Sequence, residues 1–166
     1  MTCHHRESWG AGLESISRAL AEIARDGTAS IDVVLHPNPH VASAMRSQLA
    51  GRAGITLIGP MSHVELVHRV RDCDLVLSDS GDIQEEAPAL GTPLLVLREK
   101  TERPEAIASG NARLVGTSTA RIIAEARRLL DPAEIASMAR PAFPFGDGRS
   151  GPRIAQIILN WLERRA

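Results

Sequence analysis

The sequence predicts an α/β fold, a Rossmann-like doubly wound parallel sheet, and two observations carry that prediction. Short apolar runs recur along the chain at residues 31–35, 55–58, 75–78, 94–97 and 112–115. They are rich in Val, Ile and Leu and do not alternate with polar residues, as expected of parallel strands covered on both faces. Between them lie apolar residues at helical spacing: Leu13, Ile16, Leu20 and Ile23, then Val64, Val67 and Val70, then Ile122, Ile123, Ala126 and Leu130. Strands that alternate with helices form parallel sheets through right-handed crossovers.

Taken in order, Thr2-Cys3 reads as the end of a strand ahead of the first helix. The strand at 31–35 runs into a loop shaped by Pro37 and Pro39, and the strand at 55–58 into the turn Gly59-Pro60-Met61-Ser62. His63 and His68 fall on the following helix and read as solvated or capping groups. The strand at 75–78 ends at Ser80-Gly81, where a helix begins. Pro88 lies inside that helix and removes one backbone bond, so the helix is expected to be short or kinked. Beyond Pro141 the run PAFPFGDGRSG is a loop leading to a last helix, about 151–164, with Ile154, Ile157, Ile158, Trp161 and Leu162 on one face. The 166 residues form one domain, 1–166, large enough to bury a full core.

Composition narrows the function classes. The formal net charge is −1, which makes no electrostatic case for nucleic acid or an anionic membrane. Lys100 is the only lysine, tyrosine is absent and aromatics are scarce, so there is no stacking platform for single-stranded nucleic acid. Cys3 and Cys73 fit neither a disulfide framework nor a C-x-x-C metal pattern, and Cys73, beside an apolar strand, is expected to be a packed thiol. No signal-peptide pattern and no apolar run near the ~20 residues of a spanning helix is present, so the expectation is a soluble cytoplasmic domain.

The stretch SDSGDIQEEAPALG, residues 78–91, carries the chemistry. A helix N-terminus offers unpaired backbone N–H groups and a partial positive charge, which together suit a phosphate. Ser80 adds a hydroxyl, Gly81 lets the backbone approach a ligand, and Glu86 is placed further along to accept hydrogen bonds from a pair of sugar hydroxyls. Read alone, the stretch is equally a capped helix with Glu85 and Glu86 on a solvated face. A second cluster, Thr101-Glu102-Arg103-Pro104-Glu105, follows the next strand, and a third, residues 2–8, precedes the first helix. All three belong to the sheet edge at which open α/β folds bind ligands.

Five segments together resemble the non-hydrolysing UDP-N-acetylglucosamine 2-epimerases: a T-x-H-R-x-E-like run at residues 2–7, H-x-N-P at 36–39, D-S-G-G-I-Q-E-E-A-P at 79–88, T-E-R-P-E at 101–105 and N-P-Y-G-D-G at 143–148. The resemblance covers the C-terminal half of such an enzyme, one half of a GT-B-type two-domain fold. It implies UDP and UDP-N-acetylglucosamine as ligands and an N-terminal epimerase half as missing partner, with a homodimer left open. It implies no metal or redox cofactor. The reaction it implies is elimination of UDP to a 2-acetamidoglucal, then re-addition after reprotonation on the other face, interconverting UDP-GlcNAc and UDP-ManNAc. The chain alone is expected to be inactive.

Residue by residue, the resemblance makes His4 a catalytic group contacting the nucleotide-sugar, with Arg6 and Glu7 as polar neighbours. It puts Ser80, Gly81 and Asp82 at the phosphates, Glu86 at the ribose and Arg103 beside the nucleotide. Met61 and Leu66 stand where the family has a glutamine and an aromatic near the uracil. His36 matches a position near a regulatory sugar-nucleotide pocket and reads equally as a loop histidine. Asp82 departs from the family, which has glycine there, and a carboxylate facing the pyrophosphate would weaken UDP binding by about 1–3 kcal/mol. Two alternatives stay open: the C-terminal domain of a GT-B glycosyltransferase, and a non-catalytic nucleotide-sugar-binding module.

Overall fold

The computed structural model describes residues 1–3, 9–25 and 27–165. Among these, helices and strands alternate from the first helix onward: α1 (Ala11–Ala24), β1 (Ile31–Val34), α2 (Pro39–Leu49), β2 (Ile55–Ile58), α3 (His63–Asp72), β3 (Val76–Ser78), α4 (Gly81–Leu90), β4 (Leu94–Val96), α5 (Pro104–Ala108), β5 (Ala112–Leu114) and α6 (Thr119–Arg128). Two helices follow, α7 (Pro132–Met138) and α8 (Ser150–Glu163).

All strand pairs are parallel. β1 pairs with β2, Ile31 opposite Ile55, while β4 lies between β3 and β5, with Leu94 opposite Val76 on one side and Ala112 on the other. Thr2 bridges Val34 on one side and Ser78 on the other, so it joins the two groups. The lateral order is therefore β2, β1, Thr2, β3, β4, β5, with the strand remnant expected at Thr2 in its middle. Thr2 N–H donates to Leu77 O at 3.0 Å, and Val34 N–H donates to Met1 O at 3.0 Å.

Period-two alternation divides the strand side chains between the faces. Leu77, Leu95, Leu97 and Val115 join Ile16 and Leu20 of α1, Met45 and Leu49 of α2 and Ile122 of α6 in one core. Val76, Leu94, Val96 and Ala112 join Val70 of α3, Ile83 and Ala87 of α4 and Ala106 of α5 in another. Helices cover both faces, and the crossover from one face to the other falls at the Thr2 seam.

Several expectations need correction. Val64 is 64 % exposed, because the core-facing side of α3 is Leu66 and Val70, four residues apart. Cys73 is exposed and Cys3 is buried. Cys73 caps the C-terminus of α3, ahead of the sheet, and its Sγ donates to Val70 O at 3.3 Å. α2, α5 and α7, which apolar spacing does not reveal, each open on a proline in the first turn. That position loses no intrahelical bond to the missing N–H. α4 is ten residues long and ends at Leu90, two residues after Pro88, with Gly91 as its C-cap at φ 73°. Pro88 O accepts from Ala142 N–H at 2.9 Å, tying the loop after α7 to the end of α4. α8 buries none of its residues, and Ile157 is 67 % exposed.

Gly91 and Gly110 both have positive φ, but a Cβ at Gly91 would lie 2.9 Å from Pro141 whereas one at Gly110 meets nothing within 4 Å. Gly110→Ala is expected to cost only the left-handed penalty, about 1–2 kcal/mol, and Gly91→Ala clearly more. Urea denaturation of both variants measures the difference, and equal losses would mean that Pro141 yields freely.

Candidate functional site

Ser78 ends β3 beside the seam, and its side chain is fully buried. Its Oγ lies 2.7 Å from Thr2 Oγ1 and accepts the Ser80 N–H at 3.0 Å. Between them Asp79 is buried, with Cys3 Sγ donating to its Oδ2 at 3.2 Å. Ser80 is the N-cap residue of α4 in extended conformation, and its hydroxyl makes no capping bond. The first N–H groups of α4 and the Ser80 side chain thus stand together at the switch point of the sheet.

The loop after β4 faces this helix start. A Cβ on Gly81 would sit 3.8 Å from Glu102 Oε1 and 3.9 Å from Arg103 Nη2. Gln84, fully buried on α4, holds that loop: its Nε2 donates to Ser80 O at 3.1 Å, and its Oε1 accepts from Thr101 Oγ1. Thr101 Oγ1 in turn accepts the Arg103 N–H at 3.0 Å.

The charged groups are paired around this frame. Arg103 Nε donates to Glu85 Oε1, a bond that is the main reason its guanidinium holds its proton more firmly than usual. Arg98 Nη1 donates to Glu102 Oε1 at 2.8 Å, and this bond chiefly lowers the Glu102 pKa. The Nε of Arg98 is buried with no hydrogen-bond partner among the described residues. Glu86 Oε1 lies 2.7 Å from His63 Nε2 across the gap between α3 and α4. That hydrogen bond first, then the charges of Glu86 and Asp82, raise the His63 pKa above 6.5.

The structure therefore places Ser80, Gly81 and Asp82 at the start of α4 with Arg103 beside Gly81, while Glu86 lies further along α4 and turns to His63; Asp82 is exposed. Met61 is half-buried in the turn before α3, and Leu66 is half-buried against the Val76 cluster. His36 follows β1 on the same sheet edge; its Nδ1 accepts from Asn38 N–H at 2.9 Å and its ring meets Trp9 edge-on at 6.0 Å. His4, Arg6 and Glu7 lie outside the described residues. Ser62, not His63, caps α3, in a capping box with Glu65. His63, Gln84, Arg98 and Glu102 escape a reading of the sequence by motif. Gln84 sits inside a quoted motif but acts inward, on the frame; Glu102, inside another, is exposed and pairs with Arg98; and nothing local marks His63 as a partner of Glu86.

A family profile described as UDP-N-acetylglucosamine 2-epimerase matches residues 1–159. The UDP-N-acetylglucosamine 2-epimerase of Salmonella typhimurium is 45 % identical over 164 residues, covering 97 % of this chain and 43 % of its own length. That of Escherichia coli K12 is 44 % identical over 163 residues, covering 96 % and 43 %. The chain thus spans well under half the length of these relatives. The crystal structure of the Neisseria meningitidis UDP-GlcNAc 2-epimerase bound to UDP-GlcNAc superposes with a TM-score of 0.90 at 38 % identity, over 96 % of this chain and 43 % of that one. The S. aureus MnaA–UDP co-structure gives 0.90 at 33 % identity, over 98 % and 45 %. A glycosyltransferase of kitacinnamycin shares the fold, with a TM-score of 0.56 at 16 % identity over 83 % of this chain and 36 % of that one.

Removing the Gln84 amide leaves Thr101 O–H without its acceptor, while Ser80 O keeps the Gln84 backbone N–H at 3.3 Å. Gln84→Ala is expected to cost about 1–3 kcal/mol, and a double-mutant cycle with Thr101→Ala to show coupling of at least about 0.5 kcal/mol. Denaturant titration reads both, and additive losses would mean that this bond does not hold the loop.

Proposed function

This chain belongs to the UDP-N-acetylglucosamine 2-epimerase family, and we propose that it is the C-terminal, UDP-binding half of such an enzyme. The observation that carries the reading is the meeting of the α4 N-terminus with the loop 98–103 at the switch point, the crevice in which open α/β sheets take nucleotides. Ser80, Gly81 and the first N–H groups of α4 hold the pyrophosphate. Glu86 takes the ribose hydroxyls, Arg103 lies beside the nucleotide, and the turn carrying Met61, with Leu66, receives the uracil.

The C2 proton of N-acetylglucosamine is not next to a carbonyl, so its direct removal is costly. Elimination avoids this: the C2 proton leaves, the bond from C1 to the UDP oxygen breaks, and a 2-acetamidoglucal forms. A proton then returns to the opposite face of C2 and UDP adds back at C1. UDP departs with its developing charge on the β-phosphate, and in many enzymes preorganised donors aimed at such charge lower the barrier more than any other device. The α4 N-terminus supplies those donors. His4, with Arg6 and Glu7, would act at the sugar, an assignment that rests on the motif at residues 2–7. The acidic groups for the C2 proton come from an N-terminal half, which would also cover the exposed apolar face of α8.

UDP is expected to bind this chain weakly and UDP-N-acetylglucosamine no more tightly, because the sugar's partners lie on the other half. Calorimetry with both ligands checks this, alongside C2 proton exchange in heavy water, expected at background. A marked preference for the sugar nucleotide, or exchange abolished by Glu86→Ala, would place the catalytic groups in this chain.

Asp82→Gly tests the phosphate assignment. It removes a negative charge from the expected pyrophosphate position, so UDP affinity is expected to rise by about 1–3 kcal/mol, with the gain shrinking in high salt. It also removes a carboxylate from a helix N-terminus, so stability without ligand is expected to fall by about 0.3–1 kcal/mol. Paired titrations and thermal melts read the two opposite signs. Unchanged affinity with lowered melting would make Asp82 a helix-start residue only.

A further inference from the structure

We propose that His63 is a positioning residue of the nucleotide site, holding Glu86 from the neighbouring helix so that its carboxylate meets the vicinal diol of a nucleoside diphosphate. The inference rests on the assignment of Glu86 to the ribose. Glu85 and Glu86 are successive residues of α4, about 100° apart around the helix, and they are turned to different partners. Glu85 is drawn to Arg103 on the loop 98–103, and Glu86 to His63 at the start of α3. The backbone at His63 is anchored by the capping box before it, where Ser62 N–H donates to Glu65 Oε2 at 2.8 Å and Ser62 Oγ accepts from Glu65 N–H at 3.4 Å. His63 Nε2 approaches Glu86 Oε1 at 2.7 Å, while the two side chains remain 70 % and 28 % exposed.

The acceptor count decides that this bond aids the diol and does not block it. An ionised carboxylate offers about four lone-pair sites. His63 occupies one, so each oxygen keeps a site for a ligand hydroxyl. A glutamate on a helix surface otherwise samples several rotamers, and fixing it in advance lowers the ordering cost of binding.

The coupling to protons has a definite sign. The titratable groups bearing on His63 are Glu86 and Asp82, both from α4, and both favour its charged form. A His raised by its partner makes the full contribution below its ordinary value of about 6.5 and loses it as the pH rises through the raised value. Glu86 is thus held most firmly on the acid side, and the grip on the diol loosens as His63 deprotonates.

The test compares UDP with 2′,3′-dideoxy-UDP, whose phosphates titrate alike, so the ratio of their affinities isolates the diol. Calorimetry on the full chain between about pH 6 and pH 9 is expected to show wild type preferring UDP by about tenfold or more at low pH, with the preference falling as the pH rises. His63→Ala is expected to lower that preference by about threefold to tenfold at low pH and to flatten its pH dependence. His63→Gln, which keeps a donor without the charge, is expected to recover part of the preference and stay flat. Thermal melts of both variants confirm that they fold. A preference unchanged in His63→Ala, or increased because His63 competes with the ribose, overturns the proposal. If Glu86→Ala abolishes the preference while His63→Ala does not, the ribose assignment stands and the positioning role falls. Retention of the preference in Glu86→Ala, or no UDP binding by wild type, overturns both.

Discussion

The two halves of the sheet meet at Thr2, which gives its N–H to Leu77 O while Val34 N–H is given to Met1 O. Without that residue β1 and β3 have no common neighbour, and the sheet is a pair and a triplet of strands. The seam is also where the covering helices change face. The core on one side draws on α1, α2 and α6, and the core on the other draws on α3, α4 and α5. Chains leaving adjacent strands toward opposite faces splay apart and leave a crevice. The seam reaches directly into the candidate site, because the Ser78 hydroxyl that meets Thr2 Oγ1 also accepts the N–H of Ser80. The orientation of the residue capping α4 is therefore set by the same contact that closes the sheet.

How much of this is legible in the sequence depends on the kind of signal. β4, buried throughout, announces itself as an unbroken apolar run. The runs at β1, β2 and β5 are interrupted by Asp32, Thr56 and Arg113; all five observed strands nevertheless lie within the five runs. The helices α1 and α6 present wide apolar stripes and can be read from spacing. Spacing also finds α3 but misassigns its inner face, since Val64, Val67 and Val70 share a three-residue spacing while the buried contacts are made by Leu66 and Val70. α2, α5 and α7 are invisible to periodicity; their signal is the proline of Asn38-Pro39, Arg103-Pro104 and Asp131-Pro132. Side-chain partners across elements are not legible at all. That Glu86 meets His63, 23 residues away, is a fact of helix placement, and no local pattern encodes it.

α8 shows the limit of pattern reading from the other direction. Its apolar positions follow from spacing, yet Ile154, Ile157, Ile158, Leu159, Trp161 and Leu162 are each about half exposed or more. Amphipathic spacing identifies a face that favours burial, and it does not identify what buries it. A contiguous apolar face of this kind on a helix otherwise at the surface is the signature of an interaction site, which fits a chain spanning 43 % of the length of its relatives.

The candidate site divides into a part that is hard to move and a part that is easy. Gln84 and Ser78 are fully buried polar groups whose bonds tie the loop 98–103 and the α4 N-terminus to the sheet. Breaking such bonds leaves buried polar atoms without partners, which is costly. The ion pairs around them are different. Glu102 and Glu85 are well exposed, and exposed pairs contribute little to stability because water competes for both partners. In the proposed site an incoming anionic ligand can therefore redirect Arg103 at small cost while the backbone donors that receive it stay in place. Preorganisation resides in the buried amide and hydroxyl network, joined at Glu86 by the His63 contact, and adaptability resides in the Arg103–Glu85 pair. In the reaction proposed above, this division lets the site accept a leaving group whose charge grows without the buried frame having to rearrange.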